Sequence, residues 1–458
     1  MRQNGCSRER HPRFEVTGAR REPGRWFKVA VMLAFLALSA HGEQERLWTL
    51  ESAINEALAN SPDARMAEFR IQSAQAGLEQ ANAAFMPRFR IESSYAWTDN
   101  PMLAFGNILN QGVVSSVFPP GTGFDDVPSV DNFNIHGVVM VPLYTGGQAR
   151  AGRRAAQANS GAAEQAALVV QNRLAFQVAR TFFTVHKAEA FIQATQAAVT
   201  AFEKNLDIAQ KRYRAGTALK HELLDVEVQL ARAREDFARA QNAHELALRT
   251  LRNLMGKAED RINVSDQVPE VAVPTTEDYS GRPEMMAVDL HRTAAEANVR
   301  RVQGALLPQV GAYGRYDYDQ GWEFDGSGQS YAAGVQLHWD LWDGNRTHAK
   351  IKEALANLNT AREAERKIKL AIDLEVHQAR LSLKEATERL GVTAQVVDQA
   401  AESSELTRAR FEQGLALAAQ VIDAETALTA ARVRRAEAES DRRIAVGALR
   451  SALGWSQL

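Results

Sequence analysis

The chain contains itself twice, and this constrains its fold more than any other feature. "VPLYTGGQARAG" (141–152) returns as "HWDLWDGNRTHAK" (338–350), pairing Leu143 with Leu341, Tyr144 with Trp342 and Gly146 with Gly344 at an offset of 198. "KRYRAGTALKHELLDVE" (211–227) returns as "ARFEQGLALAAQVIDAE" (409–425) at the same offset, so Tyr213 falls on Phe411, Gly216 on Gly414, Asp225 on Asp423 and Glu227 on Glu425. Upstream, Pro62 pairs with Pro283 and Pro87 with Pro308 at an offset of 221, so the first copy carries 23 additional residues between Pro87 and its aromatic-glycine passage. A self-match at fixed spacing means that one structural unit is used twice.

Each copy reads in the same order: short helix, strand, strand, very long helix, turn, shorter helix. The first repeat spans 41–257, with a β-hairpin at 87–144, a long helix at 147–214 and a further helix at 218–256. A linker at 258–282 leads to the second repeat, 283–458, with a hairpin at 308–342, a long helix at 345–412 and a helix at 416–453. No proline lies between Pro142 and Pro269 or after Pro308, and Ala, Gln, Glu, Arg and Leu dominate the long segments. All five are good helix formers. Leu174, Val178, Phe182 and Val185 form one apolar stripe, and Phe202, Leu206, Ala209 and Tyr213 another; the spacing is that of a coiled coil. A helix of about 68 residues is roughly 100 Å long, against ~10–14 residues in an ordinary globule. With a polar face rich in Arg, Gln and Glu, such helices form rods or hollow bundles.

The strands alternate strictly. In "RFRIESSYAW" (88–97), Phe89, Ile91, Tyr95 and Trp97 oppose Arg88, Arg90, Glu92 and Ser94. In "NFNIHGVVMVPLY" (132–144), Phe133, Ile135, Val139, Val141 and Leu143 oppose Asn134, His136 and Met140. In the second repeat, Tyr316 and Tyr318 oppose Arg315, Asp317 and Asp319, and Tyr331, Val335, Leu337, Trp339 and Leu341 oppose Gln336, His338 and Asp340. Aromatic-rich alternation of this length fits transmembrane β-strands, apolar toward lipid and polar toward a wet lumen.

The N-terminus reads as an export signal covering 1–40. Residues 1–28 hold eight Arg/Lys against three Glu, and "VAVMLAFLAL" (29–38) then "SAHG" supply an apolar run and small residues. That is the pattern of a cleaved secretory signal, too short to span a bilayer as a helix. The single cysteine, Cys6, precedes the expected cleavage point, so neither a disulfide framework nor a lipid anchor is expected. Formal net charge is −2, which gives no basic field for nucleic acid. Exported strands of this kind meet a counting problem: four cannot close a barrel, and open edges are not tolerated in hydrocarbon. Two copies would give eight strands and three would give twelve; the count by itself does not choose.

Taken together, the tandem repeat, the aromatic-glycine passage after each second strand and the "YRAGT" and "FEQGL" turns resemble the TolC-like outer-membrane efflux protein family (outer membrane factors), from about Leu47 to Trp455. The resemblance implies a mainly α fold with membrane β: a homotrimer whose twelve-stranded β-barrel is continued by a twelve-helix α-barrel. It implies a passive duct in the cell outer membrane, extending into the periplasm as part of a tripartite efflux or secretion system. Its partners would be outer-membrane lipid, a periplasmic adaptor (membrane fusion) protein and an inner-membrane pump. Pro87 and Pro308 would mark helix-to-strand joints, and Tyr144 with Gly146 and Trp342 with Gly344 the strand-to-helix joints. Residues 100–123 would form a longer extracellular loop. Adaptor docking would use Arg214, Ala215, Gly216 and Thr217 in one turn, and Glu412, Gln413, Gly414 and Leu415 in the other. Glu222 and Asp225, with Gln420 and Asp423, would line the periplasmic tip and favour cations over small anions. Relatives often carry a tyrosine and an arginine that tie the closed tip; Phe411 and Ala416 stand there, so that polar latch is expected to be missing.

No catalytic signature accompanies this pattern. "HELLD" (221–225) and "HELAL" (244–248) lack the second histidine of a zinc motif, so neither metal nor cofactor is expected and the chain is not expected to be an enzyme. The alternative expectation is a periplasmic coiled-coil adaptor or interaction protein with a small soluble β-domain.

Overall fold

A computed structural model describes residues 47–120, 126–257, 262–267, 270–275 and 278–457. The expected export signal, with Cys6, and parts of the 258–282 linker lie outside them. In chain order the elements are β1 (Leu47–Trp48), α1 (Leu50–Asn60), α2 (Pro62–Asn82), β2 (Arg88–Thr98), α3 (Pro101–Asn110), α4 (Val114–Val117), β3 (Val130–Tyr144), α5 (Gln148–Arg214) and α6 (Lys220–Leu254). Then follow β4 (Asn263–Val264), α7 (Pro283–Gln303), β5 (Gln309–Gly321), β6 (Gly326–His338), α8 (Arg346–Glu412) and α9 (Ala418–Ala452). Among the described residues no helix is long and apolar enough to cross a membrane.

Local chemistry starts and stops these elements. The Ser61 side chain accepts the Asp63 N–H and Pro62 occupies the first turn of α2, where a missing N–H costs nothing. α2 and α7 each tighten into a short 3-10 turn, after which Met86 and Leu307 are extended. Pro87 and Pro308 follow those two residues, and proline disfavours helix in its predecessor. α5 and α8 run 67 residues each, about 100 Å. Three pairs of glycines spaced by the 198-residue repeat all sit at positive φ: Gly146 and Gly344, Gly216 and Gly414, Gly256 and Gly454. Each lies where a helix begins or ends, a conformation glycine adopts at little steric cost.

The two repeats share one antiparallel sheet, ordered β2-β3-β5-β6. Register aligns Glu92 with His136, His136 with Asp317 and Asp317 with Ser330 across all four strands. One face is therefore polar. The other carries Phe89, Ile91, Tyr95, Trp97, Tyr331, Val335 and Leu337, all exposed. β6 ends at His338, so Trp342 lies in the irregular segment before α8, 82% exposed.

The main core forms where α5 packs on α1 and α6. Leu174, Val178, Phe182 and Val185 are all buried, with Leu50, Ile54, Leu251 and Met255 around them. The second stripe is buried at Phe202 and Ala209, but Tyr213, one residue before the end of α5, is 43% exposed. The expected extracellular loop at 100–123 is also different from a loop. Its described part folds into α3 and α4 around Ala104, Ile108, Val113, Phe118 and Val130, because Asn100 caps a helix that opens on Pro101.

Candidate functional site: helical tip, joints and polar sheet face

The tip is built from the two turns that reverse the long helices. After α5, Gly216 (φ +74°) ends the helix, with its N–H on the Tyr213 carbonyl at 3.0 Å and the Thr217 N–H on the Arg212 carbonyl at 2.9 Å. After α8, Gly414 (φ +80°) repeats the arrangement, with the Leu415 N–H on the Arg410 carbonyl at 2.8 Å. Arg214, Ala215, Gly216 and Thr217 are exposed, as are Glu412, Gln413, Gly414 and Leu415.

The four residues picked out after the glycines divide into two kinds. Glu222 accepts the Leu219 N–H at 2.9 Å and Gln420 the Leu417 N–H at 3.0 Å. Each sits at the third position of its helix, where a side-chain acceptor satisfies an otherwise orphan donor. Asp225 and Asp423 are exposed and lie one turn further on.

Phe411 and Ala416 are buried, at 2% and 7% exposure, in a cluster with Ala209, Val226, Ala418 and Val421. Neither position offers a polar side chain, but both offer a backbone carbonyl. Arg212 donates from Nη1 to the backbone carbonyls of Phe411 (3.4 Å) and Ala416 (3.3 Å), and from Nη2 to that of Thr217 (3.4 Å). Its guanidinium also stands 4.8 Å over the Phe411 ring. A tie between the two helical turns is thus present, but its side chain comes from the first turn and its acceptors are main-chain atoms. Sequence could not reveal it, because any residue type supplies a carbonyl.

A second tip contact was equally hidden. Glu425 is 2% exposed and is held by Arg408, whose Nε donates to Oε1 at 3.0 Å. Its repeat partner Glu227 is exposed. The one available signal lay in the 198-residue offset, which puts Gln210 opposite Arg408, so only the second copy can form the pair.

At the joints, β3 turns into α5 through Gly146 and Gly147 (φ +61° and +81°), and β6 reaches α8 through Gly344 and Asn345 (φ +70° and +66°). The repeat-related glycines differ in surroundings. A Cβ on Gly146 would overlap the Gly304 carbonyl, whereas one on Gly344 meets nothing within 4 Å. Tyr144 is the last residue of β3 and is 47% exposed.

On the polar sheet face, His136 contacts Glu92 (Nε2 to Oε2, 3.1 Å) and Asn134 (Nδ1 to Oδ1, 2.8 Å). Asn132 and Asn134 donate to Asp319 Oδ1 at 2.7 and 3.0 Å, and Arg315 Nε donates to Asp317 Oδ2 at 2.7 Å. His221 and His244 lie on the same helix, α6, about 35 Å apart along its axis, so they cannot share one ion.

Between sheet and tip, Arg282 staples three elements. Its side chain is 6% exposed and bonds Glu284 (3.1 and 2.9 Å), Glu375 of α8 (2.8 Å) and the Ala452 carbonyl of α9 (2.8 Å). Burial pushes the Glu284 carboxyl up, but the Arg282 hydrogen bonds and charge hold it below the usual carboxylate range overall. Burial likewise depresses the imidazole of His186, which packs on Phe182 in the α5 core.

This repeated architecture has known relatives. The family model described as outer membrane efflux protein matches residues 53–257 and 279–455. The cation efflux system protein CusC of Escherichia coli O157:H7 is 22% identical over 427 residues, covering 89% of this chain and 86% of CusC. The outer membrane protein TolC of Vibrio cholerae is 24% identical over 299 residues, 62% of this chain and 68% of TolC. The crystal structure of the outer membrane protein VceC from Vibrio cholerae shares the fold, with a TM-score of 0.73 at 21% identity over 89% of this chain and 96% of VceC. Both repeats are matched and the mainly helical fold is shared, so the chain belongs to the outer membrane efflux protein family and serves as the outer-membrane channel component of a tripartite efflux system.

Proposed function

We propose that three copies of this chain close into one passive duct, a twelve-stranded barrel in the outer membrane set on a twelve-helix tunnel. The observation that carries this is a sheet with two edges. Among the described residues, β2 and β6 each pair on one side only, and both present apolar side chains, Phe89 at 78% and Tyr331 at 84% exposure. Unpaired edges in hydrocarbon cost several kcal/mol per group. β2 leads away from the helices and β6 returns to them, so β6 of one copy beside β2 of the next keeps the antiparallel alternation. Eight strands from two copies would have an interior filled by side chains, whereas twelve leave a channel. The helices support the same ring. On α8, Leu370, Leu374, Leu381 and Val392 are 58–68% exposed at spacings of four, seven and eleven, an apolar line suited to a neighbouring copy.

Cargo passes through without chemistry. Asp225 and Asp423, repeated around the mouth, favour cations over small anions. The exposed turns at 214–217 and 412–415, the second including exposed Leu415 and the two followed by exposed Leu219 and Leu417, form the surface for a periplasmic adaptor that couples the duct to an inner-membrane pump. Arg212 holds the two turns together in the closed tip. Tyr144 and Trp342 sit at the periplasmic boundary of the barrel, where aromatic rings are favoured, and Pro87 and Pro308 fix the entry of each first strand. The first repeat at 41–257 and the second at 283–458 each contribute one hairpin and one pair of tunnel helices. The test is the mass of the detergent-solubilised protein by light scattering, with channel formation in planar bilayers. A trimer that conducts is expected; a monomer or dimer refutes the ring.

A further inference from the structure

The first hairpin differs from the second by its insertion, and the insertion lies on the polar face of the sheet. The end of its first helix and the residues just after it, Asn110–Val113, are seated on three glycines. A Cβ on Gly328 would collide with the Asn110 carbonyl, one on Gly321 with the Gln111 side chain and one on Gly326 with Val113. Gly328 pairs with Asp319 and Gly326 with Gly321, and residues two apart on a strand face the same way. All three glycines therefore share the face of Asp317 and Asp319. Gln111, 1% exposed, locks the seat by donating to the Asp131 carbonyl (2.7 Å) and to Asn132 Oδ1 (2.9 Å). On the opposite face, Trp322 packs with Tyr95 (5.9 Å) and Phe133 (6.1 Å).

α3 also has the length to cross the sheet. It starts just beyond β2 and ends on β6, contacting β3 on the way. Ten residues of helix rise about 15 Å, and three strand spacings of ~4.8 Å total about 14 Å.

We propose that Pro101–Phe118 is a cover over the outer mouth of the barrel, which limits the size of what can enter the lumen from outside. This rests on the three-copy ring described above. A twelve-stranded ring tilted by about 40° is roughly 24 Å across at the backbone. A helix on its inner wall occupies about 10 Å of that radius, so three copies leave an opening only a few ångströms wide. The side of α3 turned away from buried Ala104 and Ile108 carries Met102, Gly106 and Leu109, with Met102 82% and Leu109 51% exposed. An apolar constriction of this kind opposes the passage of water as well as bulk solute.

The test uses Ser330→Cys as a reporter. Ser330 is exposed on the same face as Gly328, one row deeper in the lumen. Intact cells are treated from outside with a small methanethiosulfonate or a long polyethylene-glycol maleimide. In the parent reporter the small reagent should react, and the bulky one about tenfold more slowly or worse. Two variants should let the bulky reagent react at a rate near the small one. In the first, residues 99–129 are replaced by Asn-Gly, because Thr98 pairs directly with Val130 and a two-residue turn joins such a pair. The second, Gly328→Val, keeps the whole insertion but removes its seat. Equal labelling of the parent by both reagents overturns the cover, even if neither variant assembles. The detergent mass of each protein is measured separately, so a failed ring is distinguished from a failed cover.

Discussion

Replacing Arg212 by alanine should loosen the closed tip, and the size of the effect can be worked out from its contacts. The two N–H···O=C hydrogen bonds that reach the second turn, at 3.3–3.4 Å, are long, so each is worth about 0.5 kcal/mol; the third, to Thr217, stays within the first turn and does not count toward opening. The guanidinium 4.8 Å over Phe411 adds about 0.5–1 kcal/mol at a partly exposed site. The sum is about 1.5–2 kcal/mol per copy, which raises the opening constant of one copy about 10- to 30-fold. If three copies open together, about 5 kcal/mol is lost and the balance moves by roughly 10³ to 10⁴. Single-channel recording in planar bilayers reads this as a higher open probability. Arg212→Lys keeps the charge but loses the fork, so it should fall between parent and alanine variant. An Arg212→Ala trimer with the parent's conductance and open probability would refute the tie.

Four further predictions concern other parts of the duct. Asp225→Asn with Asp423→Asn should shift the reversal potential in a salt gradient toward anions and leave stability unchanged, because neither residue caps its helix. Glu222→Ala should instead lower thermal stability by about 1 kcal/mol, the value of a lost N-terminal acceptor. Gly344→Ala should cost about 1–2 kcal/mol for its left-handed backbone alone, whereas Gly146→Ala also drives a Cβ into the Gly304 carbonyl and should abolish the heat-resistant oligomer on gels. Arg282→Met should lower stability by about 2–3 kcal/mol, below the 3–5 typical of a broken buried pair because Glu375 is half exposed. Glu284 is depressed in the folded state from about 4.5, so its contribution is present above that value and lost as pH falls through the folded one. Melting curves across that range should show a flatter acid limb for Arg282→Met than for the parent.

Residues whose neighbours are close in the sequence were legible. The period of two in "RFRIESSYAW" follows from strand geometry alone, and the stripe from Leu174 to Val185 from helix geometry alone. Glycines at the turns announced the helix ends because only a local dihedral is at stake. The Arg212 tie, the Arg282 staple and the insertion's seat were not legible, because each reaches residues far apart in the chain: main-chain carbonyls for Arg212, Glu375 and the Ala452 carbonyl for Arg282, and glycines that carry no pattern for the insertion.

The sequence by itself determined that one unit occurs twice, which faces of its strands are apolar, and that its helices exceed any globule. Tertiary structure decided how equivalent positions diverge. Glu425 is buried against Arg408 while Glu227 is exposed, and Gly146 is hemmed in while Gly344 is free. The physical reason is that a dihedral or a periodicity is set by adjacent residues, whereas room for an atom, or a partner for a charge, is set by whichever distant segment packs there.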